Sequence, residues 1–328
     1  MSTGNITMPY VRLGKSGLKV SRIILGCMSY GSKSWQGWIL DEKEGIEHIK
    51  AAYAAGINTF DTANVYSDGE SERILGKAIK EIGAPRSSFV VMTKVYGELL
   101  PEGLPEEARG KLDKYGITNF RGLSRKHIFD SIKASLERLQ LDYVDLYQCH
   151  RFDPDTPIEE TMQALHDVVK AGYARYIGMS SCMAWQFHAM QNYAINNNLT
   201  PFISMQNFQS VIYREEEREM NPVCSHFGVG TIPWSPLSRG LLCRPRTAET
   251  TLRLKTDPVE EIAKKKGVSM SQIALAWVMA KDPVAAPIIG TTKLENITDA
   301  IKAIDVKLDE EEMKYLEELY IPRPISGH

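Results

Sequence analysis

Eight short apolar segments, at residues 23–28, 57–61, 89–94, 143–150, 175–180, 202–207, 229–234 and 284–290, recur along the chain with helix-length stretches between them. This alternation constrains the fold more than any other feature. A strand buried on both faces needs a helix to cover it and a crossover to reach its parallel neighbour. Helix starts are legible in the intervals, where Asp41 with Glu44, Thr156 with Pro157 and Glu159, Ser269 with Gln272, and Thr292 with Glu295 have capping-box spacing. Behind them apolar residues fall at helical period, as at Ile128, Ile132, Leu136 and Leu139, then Met162, Leu165 and Val169. Eight such alternations in 328 residues predict an α/β fold, a (β/α)8 TIM barrel spanning 1–328 as one domain.

Three additions to a plain barrel are expected. A Gly/Ser turn between apolar flanks at 10–20 predicts an N-terminal β-hairpin closing the barrel bottom. Residues 96–124 read as a long loop after the third barrel strand, on the rim where a loop shapes the mouth of a site. Residues 309–319 read as an extra C-terminal helix.

Charge argues against some partners. Lysine and arginine number 39 and aspartate and glutamate 41, a net charge of −2, so nothing attracts nucleic acid or an anionic membrane. No apolar run reaches the roughly 18–20 residues of a membrane span, and the first ten residues do not read as a secretory signal. Five cysteines without a Cys-x-x-Cys pair suit a reduced, cytoplasmic setting. The glycosylation triplets at Asn5, Asn198 and Asn296 carry no weight there. No apolar stripe demands a partner, so a monomer is the default.

Chemistry is suggested at the strand ends. Asp61, Lys94 and His150 each close a buried strand segment, and Tyr66 lies in the loop after the first of these. Singly, each has an ordinary reading as a cap, a solvated stem, a packed phenol or a satisfied histidine. Jointly they map to neighbouring strands of one rim, the face of a barrel where reactions are run. A phenol is a poor acid near neutrality, and an ammonium beside it stabilises the phenolate. Lowering its pKa by about 3 requires roughly 4 kcal/mol, within reach of one desolvated ion pair. Dinucleotide, P-loop, zincin and nucleophile-elbow motifs are absent, so a bound dinucleotide would have to sit on the later barrel loops.

The run Thr59-Phe-Asp-Thr-Ala-Asn-Val-Tyr-Ser-Asp-Gly-Glu-Ser-Glu72, Lys94 and His150 at their strand ends, 175–181, 234–242 and 287–296 together resemble the aldo-keto reductase superfamily. The resemblance covers 10–320 in order and is nearest the fungal aryl-alcohol-dehydrogenase-like branch. It implies a tetrad in which Tyr66 is the general acid, Lys94 tunes it, Asp61 partners Lys94 and His150 orients the substrate carbonyl. It also implies hydride from NADPH, NADH being the less expected cofactor, and no metal. Trp234 would stack on the nicotinamide, with Ser180, Ser181 and Gln206 on its carboxamide. Ser235, Pro236 and Leu237 would follow the pyrophosphate. Gly290, Thr291, Thr292, Lys293 and Asn296 would hold the adenosine end, with Arg239 and Lys293 on its 2′-phosphate.

Some positions depart from the family pattern. Ser181 stands where many members have Asn, and Gly290, Asn296 and Ala300 replace longer polar residues around the adenosine, which bears on cofactor preference more than on chemistry. Met28, Tyr30, Trp35, Tyr96 and Arg151 are the candidate pocket walls, suited to an aromatic or apolar aldehyde or ketone, although core packing is the simpler reading of Met28. For Arg151 an ion pair with Asp153 or Asp155 is the simpler expectation. Two other functions compete with carbonyl reduction: a cofactor-binding regulatory subunit resembling those of potassium channels, and a barrel hydrolase using Asp61 and His150 around a metal.

Overall fold

The computed structural model describes residues 8–101, 103–245 and 257–328, so the Asn5 triplet and the first seven residues lie outside it. Strand β1 (Tyr10–Arg12) pairs antiparallel with β2 (Lys19–Ser21), placing Val11 opposite Val20. The turn between them requires glycine. Gly14 has φ +58°, and a Cβ there would lie 2.4 Å from the Gly228 carbonyl oxygen. The Lys15 N–H donates to that same oxygen at 2.7 Å. Leu13 and Val20 are buried against Val90, Met92, Leu146 and Ile232, so the hairpin plugs the lower end of the sheet interior as the sequence suggests.

Eight parallel strands follow: β3 (Ile24–Gly26), β4 (Thr59–Asp61), β5 (Val90–Val95), β6 (Val144–Cys149), β7 (Ala174–Ser180), β8 (Ser204–Gln206), β9 (Gly230–Thr231) and β10 (Ile288–Ile289). Their order is β10-β3-β4-β5-β6-β7-β8-β9, and parallel bridges from Thr231 to Val284 and from Trp234 to Ile288 join the two ends. The result is the (β/α)8 barrel expected, one strand within each apolar segment. Strands β9 and β10 are short because Pro233 and Pro287 lack the N–H a ladder needs.

Helices α1 (Glu42–Ala54), α2 (Glu70–Ile82), α3 (Arg125–Leu139), α4 (Ile158–Lys170), α5 (Ala184–Asn196) and α6 (Met220–Phe227) follow the first six barrel strands. Two helices, α7 (Pro258–Lys266) and α8 (Met270–Ala280), fill the next crossover. After α9 (Leu294–Lys302) comes the expected terminal helix, α10 (Glu310–Glu317), with a capping box between Asp309 and Glu312. Asp41 and Ser269 cap α1 and α8 as their spacing suggests. Thr156 and Thr292 do not cap. The Thr156 hydroxyl donates to Asp153 at 2.7 Å, and the start of α9 is organised by Thr291, whose hydroxyl accepts from Lys293 N–H at 3.0 Å.

Strand alternation sets what reaches the rim. Val90 and Met92 point into the barrel while Val91 and Val95 pack under the helices, so Lys94 continues the inward row. The same rule turns Leu146, Gln148 and His150 inward and Tyr147 and Cys149 outward. The apolar lower layer therefore gives way upward to a polar one.

Candidate active site

Lys94 is fully buried, and its three ammonium protons are all directed. Nζ donates to Asp61 Oδ2 at 2.6 Å, to the Thr62 carbonyl at 2.8 Å and to the Tyr66 hydroxyl at 3.3 Å. An ammonium has no further donors, so its position is determined from three sides. The other Asp61 oxygen accepts from Gln148 Nε2 at 3.1 Å and Gln206 Nε2 at 2.9 Å, and Gln206 also donates to Gln148 Oε1 at 3.0 Å. Gly178 makes room for this network, since a Cβ there would lie 2.2 Å from Ser204 Oγ and 3.2 Å from Gln148 Cγ.

Tyr66 sits in a turn held from two directions. Ser67 and Asp68, both at positive φ, follow it. The Ser67 hydroxyl accepts from Ser32 N–H at 3.2 Å, and Asp68 accepts both Arg109 terminal nitrogens, at 3.0 and 2.9 Å, from the long loop. The base of that loop is closed by Gly122 N–H on the Tyr96 carbonyl at 2.8 Å. Over the phenol, the His150 ring stands edge-on with centroids 5.7 Å apart, and Trp35 lies at 6.3 Å.

The charges of this cluster differ from the sequence expectation in one respect. Burial raises the Tyr66 phenol above its ordinary pKa; the Lys94 ammonium pulls it back only in part, and Asp61 opposes that pull. Lys94 itself is raised: burial disfavours its charge, but Asp61 and Tyr66 together outweigh that. Tyr66 is therefore a loaded acid at neutral pH rather than a partial phenolate. It can still protonate a developing alkoxide, whose basicity exceeds that of a phenolate.

His150 is held neutral. Burial first, then the charges of Lys94 and Arg151, keep it well below the ordinary imidazole range. Burial also lowers His48 and His127. A base depressed on folding contributes stability above its unfolded pKa of about 6.5 and loses it as pH falls from there toward the folded value. The unfolding midpoint is thus expected to fall between pH 7 and 5, with His150 contributing up to about 1.4 kcal/mol per pH unit. Thermal unfolding of wild type and His150→Gln checks this, the variant showing a shallower decline. Equal slopes would mean His150 is not held neutral by the fold.

The side assigned to a cofactor lies on the loops after β7 to β10. Ser180 Oγ donates to the Gln206 carbonyl at 2.7 Å, and Gln206 is turned inward to Asp61. Ser181, at φ +48°, gives its N–H to Asn207 Oδ1 at 2.6 Å and accepts from Trp234 Nε1 at 3.3 Å. Trp234 is stacked on Phe208 with centroids 4.7 Å apart. Beyond it, Pro236 is buried and Leu237 half-buried, while Ser235, Ser238 and exposed Arg239 all have positive φ. Non-glycine residues held this way cluster at ligand sites. The N-cap of α9, Lys293, makes no side-chain cap hydrogen bond, Gly290, Thr292 and Lys293 are exposed, and Asn296 Nδ2 donates to Thr291 Oγ1 at 3.0 Å. A helix start without a side-chain cap and a lysine beside it suit a phosphate. The uncapped start of α9 and the polar groups on these loops are of the kinds a nicotinamide dinucleotide requires, while the indole of Trp234 is met by Phe208 and by the C-terminal tail at Gly327.

The pocket residues divide. Trp35 lies against Tyr66, Arg151 Nη1 donates to the His150 carbonyl, and Tyr96 follows Val95, whose carbonyl accepts from His150 N–H at 2.8 Å. Met28 is 40% exposed, not core. Tyr30 is a correction. It is fully buried beneath α1, with its hydroxyl 3.4 Å from His48 Nδ1, and does not face the rim. The expected ion pair of Arg151 is also absent. Asp153 instead accepts from Leu123 N–H at 2.6 Å, Asp155 N–H at 3.0 Å and Thr156.

Known proteins resemble the chain over this whole framework. The sequence model of the Aldo/keto reductase family matches residues 22–321. Versiconal hemiacetal acetate reductase of Aspergillus parasiticus is 48% identical over 340 residues, covering 97% of this chain and 98% of that protein. A putative aryl-alcohol dehydrogenase of Schizosaccharomyces pombe is 48% identical over 349 residues, covering 97% of each. One from Saccharomyces cerevisiae is 42% identical over 342 residues, covering 97% and 98%.

Proposed function

The chain belongs to the aldo/keto reductase family, oxidoreductases that work between carbonyl and alcohol groups with nicotinamide cofactors, and on that premise we propose that it reduces aldehydes and ketones with NADPH, Tyr66 supplying the proton. The observation that carries this reading is the buried Lys94 Nζ, shared between Asp61 at 2.6 Å and the Tyr66 hydroxyl at 3.3 Å. A reduced nicotinamide, when bound, supplies the hydride that no side chain can. Tyr66 gives its proton to the carbonyl oxygen as negative charge grows there, and Lys94 stabilises the phenolate left behind. Asp61 keeps Lys94 charged and in place. Neutral His150 orients the carbonyl toward the phenol by a single hydrogen bond. In the reverse direction the same phenolate takes the alcohol proton.

NADPH is the proposed cofactor because Lys293 and Arg239 are exposed cations on the loops assigned to the adenosine, suited to a 2′-phosphate. Trp35 and Tyr96 favour an aromatic or apolar carbonyl compound, in keeping with relatives named for aryl alcohols. No helix among the described residues is long and apolar enough to cross a membrane, and a cytoplasmic monomer is the proposed setting. A panel of aromatic and aliphatic aldehydes, assayed in parallel with NADPH and NADH, tests the reading. Turnover with NADPH, strongest for aromatic aldehydes, is expected. Cofactor binding without turnover of any carbonyl would contradict it.

A further inference from the structure

Arg151 follows His150 at the end of β6 and is half-buried, yet among the described residues it has no carboxylate partner. Its Nη1 donates to the His150 carbonyl at 2.6 Å, one bond from a group with five N–H donors. The buried acid nearest in sequence is not available to it, since the Asp153 carboxylate is taken up by Leu123, Asp155 N–H and Thr156, and exposed Asp155 makes no ion pair with it. A cation partly withdrawn from water without a counter-ion is costly, and burial indeed depresses the Arg151 guanidinium. The His150 N–H donates to the Val95 carbonyl at 2.8 Å, so Arg151 stands at the rim next to the strand end that carries Tyr96, and its charge is felt by His150 and Tyr66.

A second cation stands over Tyr96. The Arg121 guanidinium, on the long loop, lies 5.6 Å from the centroid of the Tyr96 ring and is likewise without a carboxylate among the described residues. An exposed arginine thus stands over Tyr96 at the end of β5, and a half-buried one follows His150 at the end of β6, in a protein whose net charge is −2. In the ring of strands β5 and β6 lie opposite β9 and β10. The loops proposed for the cofactor phosphates are therefore across the barrel from these arginines.

We propose that Arg151, with Arg121 on the adjoining loop, receives an anionic group of the substrate, so that this site takes aromatic carbonyl compounds bearing a carboxylate or similarly acidic oxygen. The inference rests on the reductase reading and narrows its substrate class. Arginine is suited to the task because its planar fork matches a carboxylate in a bidentate manner. Tyr96 would lie against the ring of the substrate.

The test compares para-carboxybenzaldehyde with its methyl ester, two aldehydes of like shape that differ in charge. In wild type kcat/KM is expected to favour the acid by about tenfold or more. Arg151→Gln should bring that ratio near one, with Arg151→Lys and Arg121→Gln in between. A ratio near one in wild type, or an undiminished ratio in Arg151→Gln, overturns the proposal. If Arg151 only adjusted Tyr66, both substrates would slow together and the ratio would stand. Should neither aldehyde turn over, the reductase reading fails separately, and calorimetry with terephthalate decides the anion site. Binding by wild type that Arg151→Gln loses supports the site; no binding by wild type overturns it.

Discussion

Replacing Tyr66 with phenylalanine is expected to lower kcat for aldehyde reduction by about 10²–10⁴-fold, the usual contribution of a positioned acid, while cofactor affinity stays close to wild type. The phenol is the one proton donor that Lys94 faces, and burial keeps it protonated at neutral pH. Phenylalanine preserves the ring that stands against His150 and Trp35, so packing changes little. Loss in kcat without a matching rise in KM marks an interaction made in the transition state. Titration of tryptophan fluorescence with NADPH reads affinity separately from turnover. Near-equal turnover in the two proteins would remove Tyr66 from its role.

Lys94→Met should damage stability as well as rate. It leaves Asp61, 2% exposed, with its negative charge and no cation, and takes the donor from the Thr62 carbonyl. Removing one partner of a buried pair typically costs about 3–5 kcal/mol. Chemical denaturation should show a loss of that order, and kcat should fall with it. A double change, Asp61→Asn with Lys94→Met, removes both charges and should recover much of the stability while recovering none of the activity. The pH dependence has a definite sign. Lys94 is raised on folding, so its contribution is complete below the unfolded pKa of about 10.4 and is lost only as pH climbs through the higher folded value. The pair therefore holds across the neutral and mildly alkaline range. A Lys94→Met protein as stable as wild type would mean that Asp61 is neutralised by some other group.

What the sequence disclosed and what it hid follow from locality. Strand segments and their terminal Asp61, Lys94 and His150 are legible because each depends on its own segment. Gln148 was equally legible, two residues before His150 on the inward row, but its meaning depends on Asp61 and Gln206 from other strands. Asn207, which holds Ser181, ends the same segment as Gln206 and carries the same signal. Tyr30 was misplaced because its partner, His48, comes from the next helix. The ion pair expected of Arg151 fails because Asp153 serves the backbone of a loop 30 residues earlier in the chain. The Thr156 cap fails for a similar reason, its hydroxyl being drawn to Asp153, and at α9 the turn is tied by Thr291 rather than Thr292. The net raising of the Tyr66 pKa was out of reach, since it turns on the depth of burial against one ion pair.

The central claim is that a buried ammonium beside Tyr66 makes its phenol the proton source for carbonyl reduction. The most direct measurement is the single-turnover rate of NADPH oxidation by an aldehyde, followed across alkaline pH at saturating cofactor. The rate in wild type should decline as the Tyr66 proton is lost, and the slow residual rate in Tyr66→Phe should show no such decline. An alkaline decline of the same form in both proteins would contradict the account, because the titrating acid would then be another group.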